Sequence, residues 1–377
     1  MRTWLNRQRL LIEYTVAALG RRRARSLGLL LTYTAVVFVL ASVMLFTHAL
    51  RQEAARVLAH SPEVVLQHLV AGRHALIPAD YLERIPRQRG VREMTPRLWG
   101  YFYDPVVQAN YTFMATADAP PPGHILIGPA MARARGVAPG NLIAWRAYDG
   151  AVHTFTVAGI LDAHSELMSA DLVLLGEDDF RGFFNYPEGQ YTDVAIAVRN
   201  PREVRNVATR LSEALPDARL ILRDEVLRTY AALFDWRQGI VLAILSGALL
   251  AFALLAWDKA SGLAAEERRE IGILKAIGWE TGDVLRMKFW EGALLSGTAF
   301  LSSYVLAHVH VFHLHGALFR PVLQGWAVLY PRFALPPEID PLQVLTLALL
   351  TVLPYTVAVL VPCWRAATTD PDAVMRS

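Results

Sequence analysis

Four runs of apolar residues divide the chain: 27–49, 240–257, 289–311 and 342–361. Each is long enough to cross the hydrocarbon of a bilayer as a helix. The second and third are joined by residues 258–288, a stretch dense in charge. Unpaired charge in hydrocarbon costs several kcal/mol, so this connector lies at a membrane face. Its middle is helical in period. Leu263, Ile271, Leu274 and Ile277 are apolar, while Glu266, Glu267, Arg268, Arg269, Glu270 and Lys275 supply charge. Glu266 can pair with Arg269 along one face, and Gly278 follows the last apolar position, where helices commonly stop. The pattern predicts a short amphipathic helix along the membrane, tied at each end to a span and so able to transmit a push.

The remaining segments fall into place around these runs. Residues 1–26 carry Arg2, Arg7, Arg9, Arg21, Arg22, Arg23 and Arg25, with Leu5, Leu10, Leu11, Tyr14 and Leu19 as an apolar side. They predict an interfacial helix, whose basic end is cytoplasmic by the positive-inside rule. A lipid head-group site is a second reading of the Arg21–Arg25 cluster. The apolar run that follows starts late and leads into Arg51 and Glu53, which predicts an uncleaved span rather than a signal peptide. Residues 27–60 read as span and helical stalk. Residues 61–235 are the largest polar segment and read as α+β, with strands at 64–69, 98–103, 111–116, 125–127, 142–146, 152–160, 172–175, 193–198 and 219–222. Helices are expected at 79–85, 129–135, 177–184, 201–215 and 224–234. Residues 236–257 are the second span and 258–288 the connector. Residues 289–312 form the third span, with small residues Gly292, Ser296, Gly297, Ser302 and Ser303 for close packing. Glu291 stands near its start, within reach of water or a cation. A loop over 313–341, rich in Pro and aromatics and including the interfacial anchors Trp326 and Tyr330, precedes the fourth span at 342–362. Pro354 is expected to kink that span. Residues 363–377 form a tail.

Composition agrees: 377 residues, 54% hydrophobic and 19% charged, with a mean hydropathy of +0.29. These values suit a membrane protein with a sizeable polar part. A net charge of +3 gives nucleic-acid binding no global support, and the single cysteine, Cys363, excludes an intrachain disulfide. No G-x-x-x-x-G-K-[ST] phosphate loop occurs; the Gly278 to Gly282 stretch lacks both its length and its lysine. No G-x-S-x-G, H-E-x-x-H or C-x-x-C motif is present either, so no catalytic residue is assigned. His308, His310, His313 and His315 cluster at the end of the third span. Imidazoles can hold soft metals, although helical spacing brings all four together only if the helix ends near Phe312; interfacial histidines are the plainer reading, and no metal site is assigned.

The run from Glu267 to Gly278, E-R-R-E-I-G-I-L-K-A-I-G, followed by Asp283, Val284 and Leu285, resembles the cytoplasmic signature of the FtsX-like permeases, which include MacB-type and Lol-type ABC transporter subunits. More weakly, 127–140 and 155–162 resemble the outer core domain of MacB-type permeases. The resemblance implies an α-helical membrane protein with four transmembrane helices and a two-lobed α+β periplasmic domain. It also implies a bacterial inner membrane, both termini in the cytoplasm, and a dimer of permease subunits. ATP and Mg would be bound by a separate cytoplasmic ABC ATPase, with no cofactor in this chain. The coupling residues it implies are Glu266, Glu267, Arg268, Arg269, Glu270, Ile271, Gly272, Leu274, Lys275, Ile277 and Gly278. Ile271, Leu274 and Ile277 are expected to dock in the ATPase, and Ile273 is expected to matter less if it faces the lipid head groups. The work implied is export, extraction or lipoprotein release by mechanotransmission. Alternatives are control of an outer partner such as a cell-wall hydrolase, or handling of metal or a metal-carrying lipoprotein. An adaptor, a lipoprotein or a hydrolase is the corresponding outer partner.

Overall fold

The computed structural model describes residues 2–59, 61–86, 88–161, 166, 169–229, 246, 265–319, 328–330, 332 and 335–368. Among them are three helices long and apolar enough to cross a membrane: Ser26–Ala59, Thr281–His313 and Pro341–Val361. The expected second span at 240–257 lies outside the described residues apart from Ser246. So do 258–264, residues 230–234 of the helix expected at 224–234, Trp326 and the tail beyond 368. The chain divides into two units. One comprises Met1–Ala49, Asp235–Ala317 and Pro336–Ser377; the other comprises Leu50–Phe234 and Leu318–Leu335.

The described residues of the first unit are mainly helical. An N-terminal helix, Arg2–Arg21, precedes the first long helix, Arg23–Ala59. The third-span helix, Thr281–His308, ends in a π turn, Val309–His313, and the last helix runs unbroken from Pro341 to Thr368, through Pro354. Small residues set the helix contacts, as expected at three of five positions. A Cβ on Gly292 would lie 3.4 Å from Thr356 Cα, and Ser296 and Ser303 are wholly buried. Ser303 Oγ donates to Thr34 O at 2.9 Å, and Tyr33 Oη donates to Thr351 O. Gly297 and Ser302 differ from expectation: Gly297 faces open space and Ser302 is exposed.

The second unit holds thirteen strands among its described residues: β1 (Val64–Val70), β2 (Arg73–Ala75), β3 (Ile77–Pro78), β4 (Val91–Arg97), β5 (Trp99–Asp104), β6 (Ala109–Ala115), β7 (His124–Ile127), β8 (Leu142–Arg146), β9 (Val152–Ile160), β10 (Leu172–Leu175), β11 (Gln190–Tyr191), β12 (Asp193–Val198) and β13 (Ala218–Leu222). One sheet runs β13-β1-β12-β4, with β2 on β1, and a second runs β5-β6-β10-β7-β9-β8. The chain therefore leaves the first sheet after β4, builds the second, and returns at β12. Each sheet has its own core. Phe113, Trp145, Phe155 and Phe183 centre one, and Leu66, Tyr81, Ile196 and Leu211 the other. The alternation that predicts β8 is the reason it forms: Ile143 and Trp145 point inward while Leu142, Ala144 and Arg146 are exposed.

The crossing point is stitched by polar groups. Arg97 donates through Nε and Nη2 to the two Asp193 oxygens at 2.7 Å each, and Trp99 Nε1 donates to Asp193 Oδ2 at 2.8 Å. Thr192 Oγ1 donates to Trp99 O at 2.8 Å and accepts from Trp99 N at 3.0 Å. The Asp193 side chain is 1% exposed, and a carboxylate so buried needs the ion pair and hydrogen bonds it has here.

Candidate functional site

The connector forms the helix Ala265–Ala276, as its period predicts. Its end is a Schellman motif. Gly278 has φ +98°, its N–H bonds Lys275 O at 3.0 Å, and the Trp279 N–H bonds Leu274 O at 3.0 Å. Glycine alone adopts that backbone without a Cβ penalty. Trp279 then packs back on Leu274, and the third-span helix begins two residues on, at Thr281.

Two apolar residues of the connector face the chain itself. Ile271 packs on Val284 and Trp279. Leu274 packs with Leu11 and Met287, flanked by Tyr14, Trp279 and Trp290. Ile271 is 4% and Leu274 5% exposed, whereas Ile273 is 51% and Ile277 69% exposed. This corrects the expectation that Ile271 and Leu274 dock directly in a partner. Burial of each is worth roughly 1.5–3 kcal/mol, and that burial holds the connector to its own helices. The exposed face is Ile273 and Ile277. Of the three residues expected to dock, Ile277 is the exposed one. Gly272 is buried, Lys275 half-buried and Gly278 exposed. Glu266, Glu267, Arg268, Arg269 and Glu270 lie in the helix, with side chains outside the described ones.

The N-terminal helix clamps this element. Arg7 Nη2 donates to Asp283 Oδ1 and Oδ2, each at 2.7 Å, and Arg286 lies 3.4 Å from the same carboxylate. Gln8 Oε1 accepts from Trp290 Nε1 at 2.9 Å, and Tyr14 lies 5.6 Å from Trp279, ring to ring. Asp283 sits in the first turn of its helix, where a negative charge is favoured by the helix dipole. The helix expected over 1–26 thus exists, but its apolar residues divide. Leu11 turns inward, and Leu10 and Val16 stay exposed. Arg7, Gln8, Asp283 and Trp290 were not singled out as a set by sequence. Asp283 at a helix start was the available signal, and nothing in the pattern linked it to Arg7.

Glu291 has its cation: Lys288 Nζ donates to Glu291 Oε2 at 2.6 Å. The histidines separate. His310 is 3% exposed, with Nδ1 3.2 Å from Ser42 Oγ and its ring against Phe38. His308 instead lies against Phe312, and 6.0 Å from the His313 ring. His315 stands beyond the π turn at φ +50°. The helix does end near Phe312, yet among the described residues no three His, Cys, Asp or Glu side chains are grouped to hold a metal.

In the sheet-rich unit, the loop after the third span is anchored to the second sheet. Leu329 packs on its core. Glu166 accepts from Arg133 Nη1 at 2.7 Å and from Arg332 N at 2.8 Å, and Arg133 Nη2 also donates to Tyr330 O at 3.1 Å. Tyr330, expected as a membrane anchor, takes part in this latch through its carbonyl. Burial works against ionisation of Glu166, but hydrogen bonds from Arg133 and the Arg332 amide hold its pKa below the ordinary value. Asp104 is similar. Burial opposes its charge, while Arg135, Trp145 Nε1 and the Val106 amide lower its pKa overall; Arg135 Nε donates to it at 2.7 Å.

Residues 239–371 match the family described as FtsX-like permease C-terminal. Over 147 residues the chain is 24% identical to MJ1507 of Methanocaldococcus jannaschii, an uncharacterized ABC transporter permease. That alignment covers 37% of each chain, so this chain spans little more than a third of that relative's length. The extracellular domain of the noncanonic ABC-type transporter YknZ from Gram-positive bacteria aligns with 42% of this chain and 98% of its own. Identity there is 11% and the TM-score 0.27, too loose a superposition to relate the folds.

Proposed function

With residues 239–371 recognised as an FtsX-like permease C-terminal region, we propose that this chain is the membrane subunit of an ABC transporter. A separate cytoplasmic ATPase binds ATP and Mg and hydrolyses the ATP; this chain converts that work into movement. Two permease subunits pair with two ATPases, and the sheet-rich unit lies on the far side of the membrane from the connector. The spans number four, with 240–257 as the second, and both termini share the connector's side in a bacterial inner membrane. The output is mechanical work on an outer cargo, as in export, extraction or lipoprotein release.

The observation that carries this reading is the connector. A helix with an exposed apolar pair, Ile273 and Ile277, is fixed through Ile271, Leu274 and the Arg7–Asp283 pair to the start of a spanning helix. A force on the exposed pair passes to the span without first reorganising a loose loop. Such an element needs a partner to push it, and this chain has no phosphate loop of its own. The test is copurification from native membranes: a stoichiometric ATPase retained by the full chain supports the reading, and a chain that carries none under crosslinking contradicts it.

Control of an outer enzyme uses the same transmission and differs only in the outer partner. The protein recovered on the sheet-rich unit would separate the two.

A further inference from the structure

The N-terminal, first long and third-span helices of the helical unit enclose a groove of about 380 Å³. Its walls are apolar, with Val16 and Leu19 from the first, Leu27 and Leu30 from the second, and Leu294 and Leu295 from the third. Arg23 stands on the rim, at the start of the first long helix. The groove straddles a boundary: Leu27, Leu30, Leu294 and Leu295 belong to the spans, while Val16 and Leu19 belong to the N-terminal helix that precedes them. Gly20 also lines it, and a Cβ there would meet nothing within 4 Å. Leu27 is 53% and Val16 54% exposed, so these walls look outward.

The charged residue lining this groove is Arg23. Residues 1–30 contain seven arginines and a single acid, Glu13, which Arg9 already engages at 2.8 Å. A nearby smaller cavity brings Arg22 and Lys288 toward the same end, with Glu291 held by Lys288. An occupant must therefore be apolar along one end and anionic at the other, and must arrive from the bilayer. We infer that this groove binds an anionic glycerophospholipid, with one acyl chain along Leu19, Leu30 and Leu294 and the head-group phosphate at Arg23. A second copy of this chain fits less well. A two-fold contact here would place its own arginines against this rim, and like charges repel. The inference rests on these helices crossing a membrane and is independent of the coupling mechanism.

The test uses the full chain in detergent, titrated with dioleoyl phosphatidylglycerol or dioleoyl phosphatidylcholine and read by native mass spectrometry. The wild type should retain phosphatidylglycerol in preference. Arg23→Gln should weaken that lipid about five-fold, the equivalent of roughly 1 kcal/mol for one basic residue at a membrane surface. Arg23→Lys should retain most of the preference. Gly20→Phe, which fills the groove where space is open, should reduce retention of both lipids. Equal retention of the two lipids by the wild type would overturn the proposal. So would an unchanged preference in Arg23→Gln together with unchanged retention in Gly20→Phe, or a disulfide formed in high yield between Gly20→Cys and its copy in the native membrane. Because no ATPase is present in the assay, its outcome is separate from that of the copurification above.

Discussion

Arg7 and Asp283 are 276 residues apart and meet at 2.7 Å, the guanidinium nitrogen shared between both carboxylate oxygens. The pair joins the N-terminal helix to the first turn of the third-span helix, beside the connector. Its members differ in exposure: the Arg7 side chain is 53% exposed and that of Asp283 11%. Solvent screens such a pair, so its direct worth is about 1 kcal/mol or less. Its role is positional.

Reversing that charge is the first prediction. Arg7→Glu sets two carboxylates together and should lower ATP turnover of the reconstituted complex several-fold. The double exchange Arg7→Glu with Asp283→Arg should recover most of the loss. Turnover by the single and double variants, measured beside ATPase pull-down, separates pairing from a general defect. Equal loss in both would show that the contact itself is unimportant.

Gly278 provides the second. Gly278→Ala meets no side chain, because nothing lies within 4 Å of its Cβ position. The cost comes from the backbone alone, about 1–2 kcal/mol at a left-handed position. Amide exchange of residues 275–279 in the full chain should accelerate by a factor of roughly 5–30, with the sheet-rich unit unaffected. Wild-type exchange rates would contradict the stop motif as the connector's fixed end.

The third concerns Asp104, whose side chain is wholly buried against Arg135. Its pKa is lowered on folding. The pair's contribution is therefore complete above the unfolded value of about 3.9, and is lost as pH falls below that toward the folded value. Asp104→Asn should cost about 3 kcal/mol at pH 7, since it leaves Arg135 buried without its charge partner. Thermal melts of the solubilised full chain should show the gap between wild type and variant closing below pH 4. A constant gap across that range would exclude the ion pair as its source.

Glu166 gives the fourth. Glu166→Ala removes the acceptor for both Arg133 and the Arg332 amide. Residues 328–335 should become accessible to a trypsin-like protease at Arg332, while the cores of the two sheets keep their amide protection. Unchanged cleavage would show that Leu329 and its neighbours hold the segment without the latch.

Much of this architecture is readable along the chain, where local pattern and tertiary packing ask for the same thing. The alternation at 142–146 and 152–160 and the small-residue pauses at Gly136 and Gly278 place elements to within a residue of the structure. Val91–Arg97 was missed for a physical reason: an edge strand needs only one paired side, so it can carry Pro96 and a polar pattern that does not alternate. The helix expected at 201–215 opens instead as a short 3₁₀ turn, Pro201–Glu203, where the Asn200 side chain accepts from Arg202 N. The connector shows the limit most clearly. Periodicity identifies Ile271, Leu274 and Ile277 as one apolar stripe, but it cannot say which neighbour covers which residue. Here Leu11 and Met287 cover Leu274, and Val284 covers Ile271. These partners come from distant or following segments, and nothing in the pattern links them to the connector.

The most direct measurement of the central claim is ATP turnover by the partner ATPase with the Ile277→Asp permease. Ile277 is 69% exposed, so the substitution leaves the fold and membrane insertion intact, unlike one at Leu274, which would break the connector's own packing. In an ATPase cleft the new carboxylate would be buried without a partner, a cost of several kcal/mol. The account predicts that stimulation by the permease and retention of the ATPase are both lost, with the purified variant unfolding at the wild-type temperature. Wild-type stimulation by Ile277→Asp, and by Ile273→Asp beside it, would contradict the assignment of this helix as the element that receives the ATPase's push.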